Sequence, residues 1–118
     1  MKTFLTNETY LNEGNAGFIF RVPTLSTSRF YRVVNPYTVE RFYTTNRDDA
    51  DAAIKQGYTT EGIAGYVYTT QVCGSIPLYY VQIPGKDNLY TTNITERNYA
   101  VKNGYTDEGI ACYVLPNL

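Results

Sequence analysis

The sequence predicts an α+β domain that is mainly antiparallel β, built from three pseudo-repeats of β-hairpin, short helix and strand, the first of them truncated. Three observations carry this prediction. Two blocks recur at a spacing of 47 residues: Tyr43-Thr44-Thr45-Asn46 returns as Tyr90-Thr91-Thr92-Asn93, and Glu61-Gly62-Ile63-Ala64-Gly65-Tyr66-Val67 returns as Glu108-Gly109-Ile110-Ala111-Cys112-Tyr113-Val114. Aromatic and β-branched runs precede the first block in each copy, as strands require. Between the blocks lies a helix signature with a start signal and a stop signal. The 118 residues allow one compact domain. It divides into a truncated copy over residues 1–27 and full copies over 28–74 and 75–118.

Each element follows from its residues. Phe30-Tyr31-Arg32-Val33-Val34 and Leu78-Tyr79-Tyr80-Val81-Gln82 read as opening strands. Asn35-Pro36-Tyr37-Thr38 and Pro84-Gly85-Lys86-Asp87 carry turn chemistry and fold each strand back. Arg41–Thr45 and Asn88–Thr92 are the return strands. Asn46 and Asn93 stand at the N-cap, with Asp49 and Glu96 three residues on, the spacing of a capping box. Ala50, Ala53 and Ile54, and Ala100 and Val101, give a narrow apolar face, so helices are expected near residues 47–56 and 94–103. Gly57 and Gly104 supply the left-handed residue that ends each helix. Strands over Ile63–Tyr68 and Ile110–Leu115 close the units. In the first copy Phe4-Leu5-Thr6-Asn7 matches the Tyr-Thr-Thr-Asn block and Tyr10–Ile19 matches Tyr58–Val67, but the nine residues that read as helix are missing. No helix is expected over residues 4–20. Joining the truncated copy to the C-terminal one would close a pseudo-threefold arrangement with few open sheet edges.

Composition excludes several functions. Ten Lys+Arg against eleven Asp+Glu, with no basic run, argue against a nucleic-acid surface. No stretch reaches the roughly 20 apolar residues of a membrane span. The absence of histidine removes Ser-His-Asp and Cys-His catalysis and every His-ligated metal site. No cofactor or metal is implied. Residues 1–8 turn polar too early for a secretory leader, so the chain is expected in the cytoplasm or outside the cell by a non-classical route. Cys73 and Cys112 fall at non-equivalent positions, Cys112 standing where Gly17 and Gly65 stand; a disulfide between them would close a loop of about 40 residues, and in a chain expected to lack a leader two free thiols are the favoured alternative. Asn7-Glu8-Thr9 and Asn93-Ile94-Thr95 match the glycosylation sequon, relevant only on a secretory route.

The pattern of Tyr-Thr-Thr, a helix, then Gly-Tyr-x-x-Glu-Gly-Ile-Ala-Gly-Tyr-Val resembles a tyrosine-rich tandem-repeat family of unknown function, found in fungi and bacteria and sometimes beside secreted hydrolases. The resemblance covers residues 29–115 as two copies and 4–20 as a partial one. Stand-alone members of this size are similar in setting to small fungal lectins and immunomodulatory proteins. That setting implies a non-enzymatic, carbohydrate-binding role. The sequence departs from the family where a His is expected before Phe-Tyr-Thr-Thr: Arg41 and Asn88 stand there, and any ligand role of that position is altered.

Thirteen tyrosines are the residues most suited to a site. An aromatic plane beside hydroxyl, amide and carboxylate groups suits a sugar. Tyr37 in the first turn, Tyr58 and Tyr105 after the helix-ending glycines, Asp107, Asn46 and Asn93 are the candidate carbohydrate-binding residues. The same tyrosines could instead fill the core, as Tyr43 and Tyr90 would from alternate strand positions. Glu13, Glu61 and Glu108, the acids common to all three copies, read as structural, and Glu61 and Glu108 are expected to be largely buried and hydrogen-bonded. The ligand class is a neutral or N-acetylated oligosaccharide or cell-surface glycan, bound weakly, without metal and with mild salt dependence; an oligomer is compatible with this reading. The alternative is a structural or protein-interaction module with no small-molecule site.

Overall fold

Each full copy needs a partner for its long final strand, and in both it finds one in its own first strand. The computed structural model describes residues 10–12, 17–72 and 74–116. The truncated copy supplies β1 (Tyr10–Asn12) and β2 (Phe18–Phe20). The second copy supplies β3 (Thr27–Val34), β4 (Arg41–Thr44), α1 (Arg47–Lys55) and β5 (Thr59–Tyr68). The third supplies β6 (Ile76–Ile83), β7 (Asp87–Thr91), α2 (Ile94–Lys102) and β8 (Thr106–Val114). Pairing is antiparallel throughout: β3 lies between β4 and β5, and β6 lies between β7 and β8. The fold is therefore α+β and mainly antiparallel, as the repeats predict, with two short helices among the described residues.

The final strands start earlier than predicted, at Thr59 and Thr106, because the Glu-Gly step lies inside them as a bulge. Tyr31 faces Ile63 while Val33 faces Thr60, leaving Glu61 and Gly62 opposite the single Arg32. In the third copy Tyr80 faces Gly109 and Val81 faces Asp107, so Glu108 is the extra residue. Gly62 and Gly109 have φ of +80° and +94°, which an L side chain resists. The recurring Glu-Gly pair thus has a backbone cause: the glycine makes the bulge and the bulge aims the glutamate.

The three copies close on one another with a repeating rule. Phe20 pairs with Tyr66, Tyr68 with Tyr113, and Leu115 with Phe18, the last through Phe18 N–H to Leu115 O (2.9 Å) and Leu115 N–H to Phe18 O (3.2 Å). Each final strand reaches the next two residues further along, and the third returns to the first. Glycine permits this approach: a Cβ on Gly17 would lie 2.7 Å from Leu115 O, and one on Gly65 would lie 2.7 Å from Phe20 O. Ile19, Val67 and Val114, equivalent in the three copies, meet Phe30, Ala64, Leu78 and Cys112 in the core, with Tyr43 and Tyr90 packed against it.

The truncated copy differs in one instructive way. Its Tyr10–Ile19 stretch matches Tyr58–Val67, yet β1 and β2 pair with each other, Tyr10 facing Phe20, where β5 runs on as one strand. The Phe4–Asn7 block lies outside the described residues.

The helices begin and end as their caps dictate. Asn46 Oδ1 accepts from Asp48 N–H (2.8 Å), and Asn93 Oδ1 accepts from Thr95 and Glu96 N–H (2.9 and 3.2 Å). The expected reciprocal bond from Asp49 and Glu96 is replaced: Thr44 and Thr91 hydroxyls, two residues upstream, accept from the cap N–H groups at 3.0 Å. Gly57 and Gly104 (φ +107° and +103°) close both helices, with Tyr58 N–H returning to Ala53 O and Tyr105 N–H to Ala100 O.

Candidate functional site

The second and third copies are joined through their return strands. Among the described residues β4 pairs only with β3, which leaves its other edge without a strand partner there. Side chains of the third copy cover it. Tyr43 N–H donates to the Tyr90 hydroxyl (2.9 Å), that hydroxyl donates to Tyr43 O (3.2 Å), and Asn88 Nδ2 donates to Arg41 O (3.1 Å). These are equivalent residues of the two copies, 47 apart, bonding across the seam. Behind them Tyr90 stacks on Tyr80 at 4.5 Å between centroids and meets Tyr43 edge-on at 5.1 Å. Burial pushes the Tyr90 hydroxyl well above the usual tyrosine range. The same cause, with the charge of Glu108 second, pushes Tyr80 up to about 12.

A groove runs along this seam. Two cavities of about 310 and 430 Å³ share Phe42, Asp49, Tyr80 and Gln82 and together form it. One end holds Glu40, Tyr58 and Asn88 against Ala52 and Ala53 of α1 and its C-cap Gln56; the other holds Asn46, Glu108 and Ile110. Phe42 and Tyr80 lie 6.1 Å apart and form the aromatic floor. Tyr80 donates to Asn88 Oδ1 (2.7 Å), and Gln82 Nε2 donates to Glu108 Oε2 (2.7 Å), so the polar groups are held in place by one another. Glu40 Oε2 is buried and has no hydrogen-bond donor among the described residues. Burial first, and then the neighbouring charge of Asp87, raises the Glu40 carboxyl above its ordinary value. A separate cavity of about 270 Å³, lined by Ile19, Phe30, Tyr43, Leu78, Asn88, Leu89 and Tyr90, is without a titratable acid or base other than tyrosine and suits a polar ligand less well.

The structure brings two of the six predicted site residues, Tyr58 and Asn46, to this groove. Tyr37 is 92% exposed on its turn, away from these cavities. The remaining three have their polar groups engaged elsewhere. The Tyr105 hydroxyl donates to the Asp87 carboxylate. Asp107 accepts from Arg97 Nη1 (2.7 Å) and from Gly109 N–H (2.8 Å). Asn93 Oδ1 caps α2. Glu61 is half-buried and held by Arg41, whose Nε lies 2.8 Å from Oε1, and by Arg32 at 3.1 Å. The Arg41 hydrogen bond, ahead of its charge and that of Arg32, holds the Glu61 carboxyl below its ordinary value. Glu108 is exposed, contrary to the burial expected for it: Tyr80 and Asn88 replace Arg32 and Arg41, so the pair of cations that cover its counterpart is missing. Glu13 and Cys73 lie outside the described residues, and Cys112 is a buried free thiol pushed up to about 12 by burial.

Phe42, Tyr80, Gln82, Asn88, Glu40 and Asp49 are the groove residues that sequence reading missed. Their signal is the set of positions where the two copies differ, Arg32/Tyr80, Val34/Gln82 and Arg41/Asn88, of which only the last drew attention.

Fold and groove together define a class: a closed three-copy repeat domain, mainly antiparallel β, with a polar-aromatic groove where its two full copies meet. A family model, described as a domain of unknown function (DUF5648), matches residues 1–115, and the chain belongs to that family. No curated protein and no solved structure matches the chain. Among the described residues no helix is long and apolar enough to cross a membrane, and no group of three or more Cys, Asp or Glu side chains could hold a metal ion.

Proposed function

We propose that this protein is a non-enzymatic, lectin-like carbohydrate-binding protein and that the groove between its two full copies holds the glycan. The observation that carries the reading is one groove with an aromatic floor, Phe42 and Tyr80, flanked by Tyr58 and by the oriented amides of Gln82 and Asn88. Aromatic faces cover the apolar side of a pyranose while fixed amides and carboxylates meet its hydroxyls. The resemblance to small fungal lectin-like and immunomodulatory proteins supports an oligosaccharide or cell-surface glycan as partner. Binding is weak and needs no metal. The test is a glycan array followed by calorimetry with and without EDTA. A hit insensitive to EDTA and lost in Gln82→Ala, with the melting temperature retained, supports the reading; no hit on any glycan overturns it.

A second reading, a protein-interaction module, is favoured by α2, which exposes Ile94, Tyr99 and Val101 at 43%, 69% and 40%. Loss of a captured protein partner on Tyr99→Ser, with no glycan bound, would promote it.

A further inference from the structure

We infer that the groove selects an oligosaccharide carrying free, unacetylated amines over a neutral or N-acetylated one. This rests on the glycan reading above and replaces the ligand charge expected from the sequence. Three carboxylates, Glu40, Asp49 and Glu108, line the groove, and no lysine or arginine is among the residues lining it. They stand beside the Phe42 and Tyr80 rings, and an aromatic face next to a carboxylate is the setting in which an ammonium group is held.

The repeat itself supplies the control. At the equivalent position of the second copy, Glu61 already carries its cations, Arg32 and Arg41, within 3.1 and 2.8 Å. In the third copy those two positions are Tyr80 and Asn88, and the contact found for Glu108 is the neutral amide of Gln82 at 2.7 Å. One copy neutralises its glutamate internally. The other presents it, uncompensated, to whatever enters the groove. Glu40 adds a second unmet acceptor, its Oε2 buried without a donor among the described residues, and the neighbouring Asp87 makes an incoming positive charge more favourable there.

The near-neutral net charge of −1 predicts little salt dependence for the chain as a whole. The local charge of the groove predicts more, because an ammonium between carboxylates is screened by added salt.

The experiment is calorimetry on the whole protein with three probes of equal length: a glucosamine oligomer, its N-acetylated counterpart and a neutral glucan. It is run at about pH 6, where carboxylates are ionised and an amine is protonated. Spermidine serves as a fourth probe, for charge alone. The glucosamine oligomer is expected to bind about tenfold more tightly than the other two sugars, the sum of a few weak partly exposed charge contacts. Salt should erode that preference. Glu108→Gln and Asp49→Asn should each reduce it several-fold, while Glu61→Gln leaves it unchanged. Equal binding of all three sugars overturns the charge selection and leaves the glycan reading standing. Spermidine binding as tightly as the sugar overturns the assignment to an amino sugar. Binding of no sugar removes the glycan reading, and this inference with it.

Discussion

Glu61 and Glu108 hold the same place in two copies of one unit, on the same bulge, 47 residues apart, and their electrical surroundings differ. Around Glu61 the first and return strands bring Arg32 and Arg41; around Glu108 they bring Tyr80 and Asn88. The backbone fixes where the carboxylate stands, and two facing side chains decide whether it is spent inside the fold. The neighbours explain the difference. The face of the third copy lies against β4 and α1 of the second, so aromatic and amide groups that can pack across a seam suit it.

The strongest way to break the equivalence of the copies is at the closure point, where Gly17, Gly65 and Cys112 correspond. Gly65→Ala would place a Cβ 2.7 Å from Phe20 O and from Ile19 Cδ1. Neither the backbone oxygen nor the buried Ile19 can retreat freely, so a loss of about 3 kcal/mol is expected from overpacking. Chemical denaturation measures it; a variant as stable as the parent would show that the closure is looser than described. The cysteine at the third position sharpens the point. Cys112 is buried and burial pushes its thiol up to about 12, so alkylation should spare the Cys112 peptide in native protein and modify it once the chain unfolds.

The seam between the full copies is the next place to intervene. Tyr90→Phe removes the hydroxyl that both accepts from Tyr43 N–H and donates to Tyr43 O. A buried N–H left unpaired costs about 1–3 kcal/mol, a drop of several degrees in Tm for a chain of this size. Tyr43→Phe, the equivalent change, keeps those backbone bonds and should cost less. The same hydroxyl shapes the alkaline limb. Its folded pKa is raised above the unfolded value of about 10. Its stability contribution is therefore complete below about pH 10 and is lost as pH rises toward the folded value. Melts from pH 9 upward should fall less steeply in Tyr90→Phe than in the parent.

What was legible in the sequence is what a short window determines. Asn46 and Asn93 start helices and Gly57 and Gly104 end them because caps act over a few residues. The closure of the three copies was legible in outline, since the truncated copy needed a partner. The groove was not. Its floor pairs Phe42 of one copy with Tyr80 of the next, and no local window contains both. Asp107 and Tyr105 looked available because Arg97 and Asp87, which engage them, lie 10 and 18 residues away. The exposure of Glu108 follows from its facing residues and could have been read by comparing the two copies where they disagree. The hairpin made by β1 and β2 had no such signal: its motif is that of β5, which runs on as one strand.

The smallest expected effect is also the most direct comparison of the two glutamates. Glu61→Gln leaves Arg32 and Arg41 facing each other without a counter-charge, so it should lower Tm at neutral pH, and added salt should shrink the loss. Glu108→Gln exchanges one contact to the Gln82 amide for another and should lower it less. Acid supplies an internal check on the first. The folded pKa of Glu61 lies below the ordinary value of 4.5, chiefly through the Arg41 hydrogen bond. A depressed value means that its contribution is present above about pH 4.5 and is lost as pH falls through the folded value. The gap in Tm between the parent and Glu61→Gln should therefore persist at pH 5 and close on further acidification. If Glu108→Gln costs as much as Glu61→Gln at neutral pH, Glu108 is held by the fold as firmly as its counterpart, and the contrast between the two copies disappears.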